Sequence, residues 1–187
     1  MLIGKAAGDL ALSQQIKAEM VTVLPRLRRF AYGLTGSSHD GDDLAQAACE
    51  KALRSLDQLA PGSRLDSWMF RIAQNLWVDR WRSQQTRREQ SFEPADMEHL
   101  ATTDGAAAMH RRLDFADVRR QVSALPEDQR AVLLLVSVDG ATYKEAAEIL
   151  GVPIGTVMSR LARARLALGK ALMQETKELP ETARTKP

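Results

Sequence analysis

The sequence predicts an all-α protein: two small helical domains joined by a flexible linker. Three observations lead there. Apolar residues recur at three- and four-residue spacing on both sides of the chain's middle, the period of a helix with one buried face. No stretch alternates apolar and polar residues as a half-buried strand does. Between the two periodic blocks, from about Ser83 to Arg111, the periodicity fails in a polar run containing Pro94 and Gly105. A run of that length is uncommon inside one compact domain, so it reads as a connector. The expected units are 10–82, a linker over 83–111, and 112–175.

Each element has its own signal. Leu24, Leu27, Ala31 and Leu34 form one helical face that stops at Gly36. In "SSHDGDDLAQAACEKALRSL" a serine can cap the next helix, and Asp40, Asp42 and Asp43 suit the positive end of its dipole. Leu44, Ala48, Ala52 and Leu56 give that helix its apolar face. Pro61-Gly62 breaks the pattern. A third helix, "SWMFRIAQNLWVDRWRS", sets Trp68, Ile72 and Leu76 on one side. Trp68 is expected in the core, with Trp77 and Trp81, a turn apart, exposed. After the connector, "RLDFADVRRQVSAL" resumes the helical period, and Pro126 with Glu127 and Asp128 opens another helix, closed by Gly140. "TYKE" (Thr142 to Glu145) is a capping box for a short helix from Tyr143 to Leu150. Gly151 ends it, and a last helix runs from about Pro153 to the Met173 region.

Composition narrows the function. Net charge is +2 over 187 residues, so overall basicity does not point to nucleic acid. Its distribution says more: residues 1–90 hold 13 basic and 10 acidic side chains, 91–117 hold 2 and 6, and 118–187 hold 11 and 8. Two mildly basic blocks therefore flank an acidic connector. With one cysteine, Cys49, no internal disulfide can form, and its place beside an apolar face suggests a small packed residue. No secretory signal and no apolar run of about 18 or more residues is present, so a cytoplasmic protein without membrane insertion is expected. His39, His99 and His110 have no metal-ligand spacing with Cys49. No phosphate-binding glycine loop or nucleophile motif appears, so neither a catalytic residue nor a metal, cofactor or small-molecule substrate is expected.

The last two helices read as a helix-turn-helix. Val157, Leu161, Ala164 and Leu168 should face the core, with Ala146, Ala147 and Leu150 packing against them. The opposite face carries Thr156, Met158, Ser159, Arg160, Ala162, Arg163 and Arg165. Its N-terminal part is the end that enters a major groove, where arginine reads guanine edges or grips phosphate. Arg160 and Ser159 are expected nearer base edges and Arg163 nearer phosphate.

With these motifs in place, "LPEDQRAVLLLVSVDGATYKEAAEILGVPIGTVMSRLARARLAL" resembles region 4 of the extracytoplasmic-function (ECF) group of bacterial RNA polymerase sigma factors. "DGDDLAQAACEKAL" looks like region 2.2 of that group, and "PGSRLDSWMFRIAQNLWVDRWR" like its regions 2.3 and 2.4. The likeness covers most of residues 20–82 and 112–172 in the family's order. It implies a region 2 helical bundle and a region 4 helix-turn-helix domain, with core RNA polymerase, promoter DNA and an anti-sigma factor as partners. By the resemblance, core polymerase falls to Asp40, Asp43, Leu44 and Gln46, and minus-ten DNA to Arg64, Leu65, Asp66, Asn75, Arg80 and Arg82. Minus-thirty-five DNA falls to Thr156, Met158, Ser159, Arg160, Ala162 and Arg163. Asp79 reads better as orienting an arginine.

The sequence departs from the family at Ala47, where an acid is frequent, near Cys49, where an aromatic is common, and at Met158, usually Lys or Arg. Two other readings stand beside the sigma factor. A sigma-like module that titrates an anti-sigma factor without touching DNA should lose the basic groups that Arg80, Arg82, Arg160, Arg163 and Arg165 retain here. A plain helix-turn-helix repressor leaves the region 2 likeness unexplained.

Overall fold

The computed structural model describes residues 2–60, 62–90 and 117–178, and among these there are helices and turns but no strand. The first helix, α1 (Leu2–Thr35), starts well before the periodic stretch and runs through Pro25. Proline inside a helix leaves the carbonyl four residues earlier without its partner. Here that residue is Val21, 68 % exposed, so the carbonyl lies on the solvent side. Gly36, at φ +75°, turns the chain into α2 (Ser38–Arg54). Ser37 caps α2 by accepting the Asp40 N–H at 3.3 Å, worth about 1 kcal/mol in typical helices. Gly41 allows α1 and α2 to cross closely: a Cβ there would stand 2.8 Å from the Tyr32 Cα.

A short 3-10 turn, Leu56–Gln58, leads to α3 (Leu65–Gln90). The helix continues eight residues past Arg82, into the stretch expected as linker. Its last residues, Ser83 to Gln90, include no proline or glycine, and Gln, Arg and Glu favour helix. A reading based on an apolar stripe misses a helix whose residues carry none. The rest of the expected linker, from residue 91, lies outside the described residues.

Leu27, Phe30, Ala31 and Leu34 of α1 meet Leu44, Ala48 and Ala52 of α2 and Met69, Phe70 and Ala73 of α3 in the first core. The Phe30 and Phe70 rings meet edge to face, centroids 5.1 Å apart at 61°. Such pairs add about 0.5–1.5 kcal/mol beyond area burial. Trp77, expected on the surface, is buried at 6 % exposure, while Trp68 is half-buried. The Trp81 side chain lies outside the described residues. Cys49 is half-buried, and burial pushes its thiol pKa up, which disfavours the reactive thiolate.

The second half begins with helical residues 117–123 (α4). Then come α5 (Glu127–Leu133), α6 (Tyr143–Leu150) and α7 (Ile154–Glu178). After α5 the chain widens into a π-type turn over Leu134–Val138, in which the Asp139 N–H donates to the Leu134 carbonyl at 2.9 Å. Ala131, Val132, Leu135, Ala146, Ile149, Val157, Leu161 and Ala164 fill its core. Among the described residues, no helix is long and apolar enough to cross a membrane.

The two halves touch. Leu134 seats against Gly33 of α1, where an added Cβ would lie 2.4 Å from its Cδ2. Arg130 of α5 is 7 % exposed and donates to the Leu34 carbonyl at 2.5 Å and to the Ser123 and Leu125 carbonyls at 2.5 and 3.0 Å. The Leu34 carbonyl lies in the last turn of α1, where helix carbonyls lack intrahelical partners and a cation meets the negative end of the dipole. Burial lowers the Arg130 pKa against the pull of Glu127, yet guanidinium stays charged at any ordinary pH.

Candidate nucleic-acid interface

The helix-turn-helix forms as its local sequence dictates. Thr142 accepts the Glu145 N–H at 3.2 Å, and the Glu145 carboxylate takes the Thr142 N–H at 2.8 Å, closing the capping box. Gly151 ends α6 at φ +64°, ψ +35°. The Gly151 and Val152 N–H groups both donate to the Ala147 carbonyl, satisfying the helix end. Val157, Leu161 and Ala164 are buried, with Leu168 partly so. Ala146 and Ile149 pack from α6, and Ala147 and Leu150 are half-buried beside them.

The opposite face of α7 is open. Met158, Ser159, Ala162, Arg163 and Arg165 are exposed, while Thr156 is half-buried. The Ser159 hydroxyl donates to the Thr156 carbonyl at 3.0 Å. Arg160 is held sideways, its Nε 2.9 Å from the Asp128 carboxylate and its side chain 25 % exposed. Of the two arginines, Arg163 is thus the freer to reach DNA from this conformation.

On α2, the three acids divide their work, and Asp40 is the one in the first turn. Asp42 accepts two bonds from Arg28 of α1, at 2.8 and 2.9 Å, and so ties α2 to α1. Asp40, Asp43 and Gln46 face solvent, and Gln46 donates to Glu50 at 3.1 Å. Leu44, expected beside them, is 2 % exposed and packs in the core. His39, Asp40 and Asp43 bring their donor atoms within 4.8 Å, all exposed; the helix dipole accounts for Asp40 in the first turn, and Asp43 lies 3.6 Å from His39.

The third cluster lies where α3 begins. Leu65 is buried at 3 % exposure. Asp66 accepts from Arg64 at 3.1 and 2.7 Å, from Arg26 at 3.2 Å and from the Ser67 N–H at 2.7 Å. Burial works to raise the Asp66 carboxyl, but these bonds and the Arg64 and Arg26 charges outweigh it and hold its pKa down to about 2. Asn75, Asp79 and Arg80 are exposed farther along α3. The Arg82 side chain lies outside the described residues. Three arginines of this half reach into the other: Arg26 to Asp139, Arg64 to Glu145, and Arg71 to the Glu148 carbonyl. Arg26 and Arg71 were not singled out in the sequence. Their partners lie 113 and 77 residues away, and no spacing rule spans that distance.

The comparisons with known proteins cover the same two halves. Residues 20–87 match the family described as Sigma-70 region 2, and residues 115–168 match Sigma-70, region 4. The chain is 35 % identical over 161 residues to the ECF RNA polymerase sigma factor EcfG of Rhodopseudomonas palustris, covering 86 % of this chain and 87 % of that one. It is 32 % identical over 160 residues to the ECF RNA polymerase sigma factor SigE of Mycolicibacterium smegmatis, 84 % of this chain and 62 % of that one. Among solved structures, the sigma factor RpoE of Bartonella quintana, crystallised with the anti-sigma factor NepR, is similar at a TM-score of 0.72 and 31 % identity. That match covers 86 % of this chain and 98 % of the other.

Proposed function

The chain belongs to the ECF group of RNA polymerase sigma factors, and we propose that it binds core RNA polymerase in the cytoplasm and directs promoter-specific initiation under an anti-sigma factor. The observation that carries this reading is the presence of both regions, in order, in one chain that retains a helix-turn-helix with an exposed basic face.

The division of labour follows from the faces. Asp40, Asp43 and Gln46 present a polar, acidic surface on α2 that complements a basic helical surface of the polymerase, while Leu44 supports it from within. Arg64 and Asp66 at the start of α3, with Asn75, Arg80 and Arg82 along it, are assigned to the melted minus-ten strand, and Leu65 fixes their turn from the core. On α7, Thr156, Met158, Ser159, Arg160, Ala162 and Arg163 are assigned to the minus-thirty-five duplex. Met158 offers apolar contact where a charge is usual, so Arg163 supplies phosphate attraction and Arg160 must leave Asp128 to join it. The protein's work is binding, without catalysis of its own. An anti-sigma partner is proposed from the RpoE–NepR likeness.

Core polymerase mixed with the chain should retard a subset of a promoter-fragment library that neither component retards alone. A mixture that retards no fragment beyond the polymerase control would overturn the reading.

A further inference from the structure

One arginine of the open face of α7 is already engaged. Arg160 follows Val157 by three residues and precedes Ala164 by four, so it stands beside the buried stripe rather than in the middle of the open face. From there its guanidinium reaches α5. The Nε atom lies 2.9 Å from an Asp128 carboxylate oxygen, with the arginine side chain 25 % and the aspartate 44 % exposed. Asp128 precedes the buried Ala131 and Val132 by three and four residues, which puts it on the packed side of α5, and α5 lies against α7. Arg163 and Arg165, farther along α7, are exposed.

This pair can break at little cost. Asp128 lies in the first turn of α5, where the helix dipole favours a carboxylate by itself. Released from Arg160, it keeps that stabilisation and returns to water. Ion pairs near the surface shift an equilibrium by about fivefold at most. An arginine that grips a base edge through two bonds discriminates by about 5- to 150-fold. A duplex that offers Arg160 such an edge therefore outcompetes Asp128. A duplex that offers none leaves Arg160 where it is.

We propose that Asp128 is a positioning residue that sets specificity without touching DNA: it competes with the duplex for Arg160, and so relaxes the reading of the base pair that this arginine would contact. The proposal rests on the sigma-factor reading, in which α7 meets a duplex. The direction follows from the competition. On a duplex with the right base edge, Arg160 gives up Asp128, and the lost pair lowers affinity. On a duplex without that edge the pair stays, and nothing is lost. The gap between the two duplexes therefore narrows by the strength of the pair. Without Asp128 the gap widens, because the full gain from the base edge reaches the affinity.

The test uses the full chain, Asp128→Asn, Asp128→Ser, Arg160→Ala, and Arg160→Ala combined with Asp128→Asn. Asparagine keeps the shape of the side chain and serine shortens it; both remove the charge, and circular dichroism checks that each variant keeps its helix. Each protein is offered duplexes randomised over one helical turn, and the bound and unbound pools are sequenced. Fluorescence anisotropy then gives the affinity for a fluorescein-labelled preferred duplex and for its single-base-pair variants. Asp128→Asn and Asp128→Ser should tighten the preferred duplex by about two- to fivefold and sharpen the preference at one base pair by a similar factor. In the Arg160→Ala background the same change at Asp128 should leave base preference unaltered, because the residue it acts through is gone.

Unchanged preference at every base pair in both charge-removing variants would overturn the proposal. So would tightening that is alike for all duplexes, the signature of phosphate attraction, or a sharpening that persists when residue 160 is alanine. A purely structural role for Asp128 would instead weaken every duplex, which is the opposite sign and also overturns it. Run-off transcription is scored separately. A wild type that enriches no duplex and yields no promoter-specific transcript counts against the sigma-factor reading, and the proposal falls with it. Enrichment by the wild type that changes at Asp128 neither in strength nor in base preference overturns the proposal alone.

Discussion

Replacing Arg130 with methionine should destabilise the protein by about 2–4 kcal/mol. The guanidinium donates to three carbonyls: Leu34 at the end of α1, Ser123 at the end of α4, and Leu125 in the turn before α5. Hydrogen bonds from charged donors contribute about 1.5–3 kcal/mol each, so simple addition gives roughly 5–9 kcal/mol. Against that stands the cost of holding a cation where it is 7 % exposed, several kcal/mol in typical proteins. Methionine refills the space with flexible apolar volume but leaves the carbonyls without donors. Urea unfolding followed by far-ultraviolet circular dichroism measures the difference. Arg130→Lys should recover only part of the loss, because one ammonium cannot span three carbonyls in a fixed fork. A methionine variant within about 0.5 kcal/mol of wild type would refute the reasoning, since that is the ordinary range for surface substitutions.

Other outcomes follow from single features. Gly151→Val places a β-branched residue at φ +64° and should cost about 1–2 kcal/mol of stability by the same unfolding assay. Asp66 has a folded pKa of about 2 against an ordinary 3.8, so its contribution is full above the higher value and is lost as pH falls through the lower. Acid unfolding between those values should therefore be less steep in Asp66→Asn. Asp43→Arg with Gln46→Ala should weaken core-polymerase binding in a pull-down titration while circular dichroism stays unchanged, because both side chains face solvent. Arg163→Ala should weaken minus-thirty-five duplex binding by the full chain alike for all sequences, and lower the salt slope by about one. An unchanged slope would remove Arg163 from the phosphate contacts.

What the sequence made legible was local. The α6 cap, the Gly151 turn and the buried stripe of α7 are set by neighbours within a few residues, and the structure repeats them, with Leu168 at the end of the stripe only partly buried. Ser37 and the α2 acids were legible for the same reason, although only the structure shows that Asp42 belongs to Arg28. The polar end of α3 was not legible as helix: Ser83 to Gln90 carry no apolar stripe to betray it. Trp77 was misplaced because a wide apolar face and an exposed aromatic pair share the same spacing. The Arg26–Asp139 pair was out of reach, since the two residues are brought together only by tertiary packing. Arg160 shows the same limit within one domain, as its pairing with Asp128 of α5 depends on how α5 lies against α7.

Run-off transcription on a promoter library, with purified core polymerase in the presence and absence of the chain, tests the central claim most directly. The account predicts discrete transcripts from a subset of promoters that appear only when the chain is added and disappear with Asp43→Arg. Identical transcript patterns with and without the chain, at every ratio to core, would contradict it.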